Sequence, residues 1–103
     1  MNKIIAVDFD GTLCKSKWPD IGDPNYKLIK YLIDEQKAGS KIILWTCRCG
    51  KYLNNAIDWC KDRGLYFDAV NSNLDEHTEL FENDSRKIFA NVYIDDRAMV
   101  PFW

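Results

Sequence analysis

Short uninterrupted apolar runs alternate along the chain with stretches whose apolar residues recur every three or four positions. Ile4, Ile5, Ala6 and Val7 form the first run and predict a buried strand over Lys3 to Asp8, stopped by an Asp-rich turn that contains glycine. Lys41 to Thr46 predicts a second buried strand, Tyr66 to Val70 a short third, and Ala90 to Ile94 a fourth that again ends in aspartates. Leu28, Ile29, Leu32 and Ile33 share one helical face. Asp23 is a suitable N-cap for that helix, Pro24 a suitable first residue, and Gly39 a left-handed stop. Leu53, Ala56, Ile57 and Cys60 mark a second amphipathic helix from Gly50 to Arg63, with Gly64 ending it.

Two segments lack this order. Gly11 to Asp23 mixes polar residues with Trp18, Pro19 and Gly22 without periodicity and predicts a loop. Asn71 to Phe89 is polar and acidic up to Asp84, with Ser85 to Phe89 as a short helix leading into the fourth strand. Strands and helices in this alternation predict an α/β fold, a three-layer doubly wound Rossmann-like parallel sheet of about four strands. In such sheets ligands bind beyond the carboxyl ends of the strands, where the winding reverses. Polar residues crowd at those ends: Asp8 and Asp10 after the first strand, Thr46 after the second, Asp95 and Asp96 after the fourth.

Bulk properties narrow the classes of function. With 103 residues, 47% of them hydrophobic, the chain is expected to form a single domain over 1–103. A formal net charge of -2 supplies no basic field, so an anionic ligand must be held by local cations, a metal or backbone amides. Nonspecific nucleic-acid binding is not expected. No run reaches the ~18 apolar residues of a membrane span, and the apolar run from Ile4 to Val7 is too short for a signal peptide. A cytoplasmic location is therefore expected, with Cys14, Cys47, Cys49 and Cys60 as reduced thiols. Cysteine spacing does not match a zinc site, Cys60 falls on a core stripe, and His77 reads as a loop residue.

Four acids and a hydroxyl at one sheet edge repel one another unless protons, cationic side chains or a metal compensate them. An all-oxygen donor set suits a hard cation such as Mg²⁺. Asp8-Phe9-Asp10-Gly11 on its own reads equally as a turn.

The longer string Asp8-Phe9-Asp10-Gly11-Thr12-Leu13, directly after an apolar strand, resembles the first motif of the haloacid dehalogenase (HAD) superfamily. Thr46, Lys87 and Asp95-Asp96 follow in that family's order, so the resemblance spans nearly the whole chain. It implies a Mg²⁺-dependent phosphatase acting on phosphomonoesters through an aspartyl-phosphate. Asp8 would be the nucleophile and Asp10 the general acid and base. Thr46 would donate to a phosphoryl oxygen, and Lys87 would balance charge, with Arg86 its competitor. The metal ligands would be Asp8, Asp10 through its main-chain carbonyl, Asp95, and Asp96 directly or through water. Gly11, Thr12, Arg48 and Arg97 are candidates for the phosphate or substrate; either arginine could instead pair with a nearby acid. Trp18 could stack on an aromatic substrate or pack the loop to the body.

The chain departs from many members of that superfamily in having no room for a cap domain, only a short flap at Leu13 to Asp23. An open site of this kind suits a bulky or macromolecular phosphoester or needs a partner subunit to exclude water; the phosphorylated substrate itself, small molecule or macromolecule, is not chosen by the sequence. The apolar residues Pro101, Phe102 and Trp103 suggest a homodimer or a tail folded on its own core. Two other readings share the fold. One is a non-catalytic regulatory module that binds metal and phosphate; the other, a CheY-like phosphoacceptor, is disfavoured by Asp10, which would speed hydrolysis.

Overall fold

The computed structural model describes residues 3–75 and 88–96. Lys87, Arg86, Arg97, His77 and the 101–103 tail lie outside the described residues.

Its elements in chain order are β1 (Ile4–Val7), β2 (Cys14–Lys17), β3 (Asp20–Pro24), α1 (Tyr26–Lys37), β4 (Lys41–Leu44), α2 (Gly50–Asp62), β5 (Ala69–Val70) and β6 (Val92–Ile94). The main sheet runs β5-β4-β1-β6 with every neighbouring pair parallel. This is the Rossmann-like parallel sheet expected from the alternation, and among the described residues there is no separate cap domain. Strand β1 is central because the chain winds outwards through β4 to β5 and then returns to place β6 on the other side. The winding thus reverses between β1 and β6, and that is where a crevice opens.

Side-chain alternation divides the sheet between two packed layers. Ile5, Val7, Ile42 and Leu44 point to the face covered by both helices, where Ile29 and Leu32 of α1 and Ala56 and Cys60 of α2 complete one buried cluster. Ala6 and Ile43 point the other way and pack with Leu74, Ile88 and Ala90. Fully buried strands explain why β1 and β4 read as continuous apolar runs. Burial pushes the Cys60 thiol up to about 12, as suits an inert core group. The four cysteines are free thiols. Among the described residues no helix is long and apolar enough to cross a membrane.

Three local departures from the expected elements have physical causes. The 11–23 loop is in fact ordered as an antiparallel hairpin, β2 with β3, registering Cys14 with Pro24 and Lys17 with Asp20. Pro24 therefore ends a strand, and the helix begins two residues later than expected, at Tyr26. Asn25 is the N-cap, its Oδ1 accepting from the Leu28 N–H at 3.2 Å. Strands β5 and β6 are shorter than the apolar runs because side chains replace part of the ladder. Asp68 Oδ2 accepts from Ile42 N at 2.7 Å and Asn91 Oδ1 from Ile4 N at 2.8 Å. The helix stops behaved as read: Gly39 and Gly64 have φ of 104° and 86°.

Candidate active site

Four strand ends build the floor of the site. Hydrogen bonds beyond the regular ladder keep those ends in step: Asp8 N–H donates to Ile94 at 2.9 Å, Trp45 N–H to Val7 at 2.8 Å, and Asn71 N–H to Leu44 at 2.8 Å. Asp8 leaves β1 and Asp95 leaves β6 on the two sides of the winding reversal. The carboxylates of Asp8, Asp95 and Asp96 come within 4.8 Å of one another.

A tight turn follows Asp8. The Phe9 carbonyl accepts from Thr12 N at 3.1 Å and Leu13 N at 2.9 Å, while Gly11 N donates to Cys14 at 2.9 Å. Gly11 adopts a φ of 81°, and a Cβ built there would collide with the Asp96 carboxylate, so glycine is required both for the turn and for the approach of the acid. Gly11→Ala is expected to push Asp96 away from its neighbours and weaken any divalent-cation binding at the triad by about 10- to 100-fold. Titration calorimetry checks this, and an unchanged affinity would mean that Asp96 need not lean over Gly11. Thr12 is buried, and among the described residues its hydroxyl has no hydrogen-bond partner.

The triad gathers three carboxyl groups at the switch point. Burial, joined by the charges of Asp95 and Asp96 and opposed by a hydrogen bond from the Phe9 backbone, pushes the Asp8 carboxyl up to about 6. Three carboxylates brought this close form a donor set suited to a divalent cation. All the donors are oxygen, which favours a hard ion.

Asp10 is treated differently. Its side chain turns from the triad to Arg48, which grips both carboxylate oxygens, Nε to Oδ2 at 2.8 Å and an Nη2 hydrogen to Oδ1 at 2.7 Å. Arg48 is only 3% exposed. Its other N–H groups donate to the carbonyls of Pro19 at 3.3 Å, Tyr52 at 3.4 Å and Asp20 at 3.0 Å. All five donors of the guanidinium are thereby used. The cation lies 5.0 Å from the Phe9 ring centroid and 4.9 Å from that of Trp18. Of the two roles open to Arg48 in the sequence, this geometry is the ion pair. Trp18 packs the hairpin to the body: its ring lies tilted at 56° against Tyr52 with centroids 5.0 Å apart, although 57% of the residue stays exposed.

Above the triad is a cavity of about 720 Å³, which Asp8, Asp10, Thr46, Asp95 and Asp96 all reach. Thr46 Oγ1 accepts from Arg48 N at 3.2 Å, and Thr46 N donates to Asn71 Oδ1 at 2.7 Å. Ser16 from the hairpin, Trp45, Cys47 and Asn71 also line it, and the sequence reading singled out none of these as substrate contacts. Asn71 carried one usable signal. A polar residue directly after the third apolar run stands at the carboxyl end of its strand, and its φ of 52° suits asparagine.

No family model matches the chain, and no curated protein does. Among solved structures, one of a conserved protein coded by a locus from Bacteroides thetaiotaomicron matches with a TM-score of 0.83 and 40% sequence identity. The match covers 95% of this chain and 78% of that one. A clustered aspartate triad at the switch point of a Rossmann-like sheet is consistent with a hydrolase-type active site. At that identity and coverage, the chain belongs to the same family as the conserved Bacteroides thetaiotaomicron protein.

Proposed function

We propose that the protein is a Mg²⁺-dependent phosphomonoester hydrolase of the haloacid dehalogenase type, acting through an aspartyl-phosphate. The observation that carries this reading is the divergence of two neighbouring acids. Asp8 belongs to a cation-ready triad, while Asp10, two residues on, reaches the same cavity from a separate arginine-held setting. Two carboxyl groups kept in different environments are what a nucleophile and an acid-base partner require.

In this mechanism the Asp8 carboxylate attacks phosphorus as the bond to the leaving oxygen breaks, and Asp10 supplies the proton which that oxygen takes up. Water then cleaves the aspartyl-phosphate; Asp10 accepts its proton, and inorganic phosphate leaves with Asp8 regenerated. A carboxylate needs no activating base, unlike a serine. Thr46 already accepts a hydrogen bond from the Arg48 backbone, so its own hydroxyl proton is available to a phosphoryl oxygen. Mg²⁺ would be held by Asp8, Asp95, Asp96 and the Asp10 carbonyl, and when bound it offsets the repulsion between these acids and the phosphate. Lys87 remains the proposed balancing cation, and Gly11, Thr12 and Arg97 remain proposed phosphate contacts.

The rival reading, a non-catalytic module that binds metal and phosphate, draws on the engagement of both Asp10 oxygens by Arg48. Hydrolysis of p-nitrophenyl phosphate with and without Mg²⁺ separates the two. Turnover that requires the cation is expected; Mg²⁺ binding without turnover would favour the module. Because the Asp8 carboxyl lies at about 6 without a cation and must be ionised to act as a ligand, Mg²⁺ affinity is expected to fall about tenfold between pH 7 and pH 5. Calorimetry at the two pH values in buffers of different ionisation enthalpy would show whether a proton is released.

A further inference from the structure

We infer that Arg48 is a positioning residue for Asp10, a single side chain that sets the orientation of the proposed acid-base group and the placement of the β2–β3 hairpin together. The inference rests on the phosphohydrolase reading and deepens it.

The arrangement exceeds what a structural ion pair needs. An isolated buried pair contributes little net stability, because desolvation offsets the attraction. Here one planar cation is fixed in every direction. Phe9 lies against it on the core side and Trp18 on the outer side, and the carbonyl of Tyr52 anchors it to α2. The carbonyls of Pro19 and Asp20 bind it to the hairpin. The remaining two donors take both oxygens of Asp10. A carboxylate held through both oxygens cannot swing about its Cβ–Cγ bond. Each oxygen still keeps a lone-pair site away from Arg48, where Asp10 can carry the proton it passes to the leaving oxygen and later takes from water.

The crevice makes such restraint necessary. Asp8, Asp95 and Asp96 already crowd together, and a freely rotating fourth carboxylate would compete for the same cation. A proton donor contributes only when it lies within hydrogen-bond reach of the leaving oxygen. Because the same guanidinium carries the hairpin that brings Ser16 to the cavity, the wall of the site and its acid-base group move as one unit. Lysine cannot substitute, since an ammonium lacks the fork that grips two oxygens.

The test uses aryl phosphates graded by the acidity of their leaving phenol, from p-nitrophenyl to phenyl phosphate, with the wild type, Arg48→Met, Arg48→Lys and Asp10→Asn. An acidic phenol departs without a proton, whereas phenol itself needs one. Arg48→Met is expected to lose about 100-fold in kcat on phenyl phosphate and about tenfold or less on p-nitrophenyl phosphate. Asp10→Asn should show the same widening gap, Arg48→Lys should rescue little, and the double variant should be no slower than Asp10→Asn. Trp18→Ala removes the outer cover but not the ion pair, and should show a smaller loss with the same dependence on leaving group. It remains informative if circular dichroism shows Arg48→Met unfolded. Equal losses on all esters, or additive losses in the double variant, would overturn the inference alone. A wild type that turns over none of the esters would overturn the phosphohydrolase reading, and the inference with it.

Discussion

Asp8→Asn is expected to lower kcat on p-nitrophenyl phosphate by on the order of 10⁴-fold or more, to the background of the assay, because it removes the attacking oxygen anion while preserving shape. Stability should respond in the opposite sense when no cation is present. Below pH of about 4 Asp8 is protonated in both folded and unfolded chains and contributes nothing. As pH rises from there the unfolded chain releases its proton first, because the folded carboxyl holds its proton until about 6. The folded state is therefore penalised progressively up to about 6 and fully above it. A neutral amide escapes that penalty. At pH 7.5 the variant should melt at or above the wild-type temperature in EDTA and below it in Mg²⁺, where only the wild type has the full donor set. Undiminished turnover by Asp8→Asn would remove the nucleophile from the mechanism.

Phe9→Ala is expected to cost about 3–5 kcal/mol of folding stability. That is a large share of the roughly 5–15 kcal/mol available to a domain of this kind. Phe9 is fully buried between the two acids of the motif and meets Trp59 edge to face at 5.5 Å. It is also the inner surface against which the Arg48 guanidinium lies. Its loss should thus loosen the Asp10 clamp as well as the core. Urea denaturation gives the energy, and a cost under about 1 kcal/mol would show that the neighbouring side chains refill the space.

The parts of this molecule that could be read from its residues are those where burial and chain direction leave little choice. Strands β1 and β4 are covered on both faces, so their apolar runs are unbroken. The helices α1 and α2 face the sheet with regular stripes, and their glycine stops have no good substitute. Acids directly after parallel strands fall at one edge of the sheet, which brought Asp8, Asp95 and Asp96 into view. The hairpin was hidden for the converse reason. Lys15, Ser16 and Lys17 of β2 are all exposed, and β3 is mostly half-exposed, so no alternation reports its pairing. Asp23 and Pro24 have the chemistry of a helix start yet belong to that hairpin, and only the cap geometry of Asn25 moves the boundary. The choice of Arg48 between phosphate and acid depended on the hairpin too, because two of the guanidinium's five bonds go to the hairpin carbonyls of Pro19 and Asp20. Trp45 read as one more apolar residue at the end of a run, with nothing to mark its place in the cavity.

The strand order also has a kinetic side. Strand β1 makes its partnership with β4 across the β2–β3 hairpin and one helix, so that half of the sheet can form from contacts of moderate sequence separation. Its partnership with β6 must bring together segments from far apart in the chain, and loop-closure entropy makes this the slower event. Until β6 docks, Asp8 has no Asp95 or Asp96 beside it, so a half-assembled sheet offers a cation one carboxylate in place of three. The crevice is therefore a record of completed folding, and a divalent cation bound there would act as a late staple on the last strand.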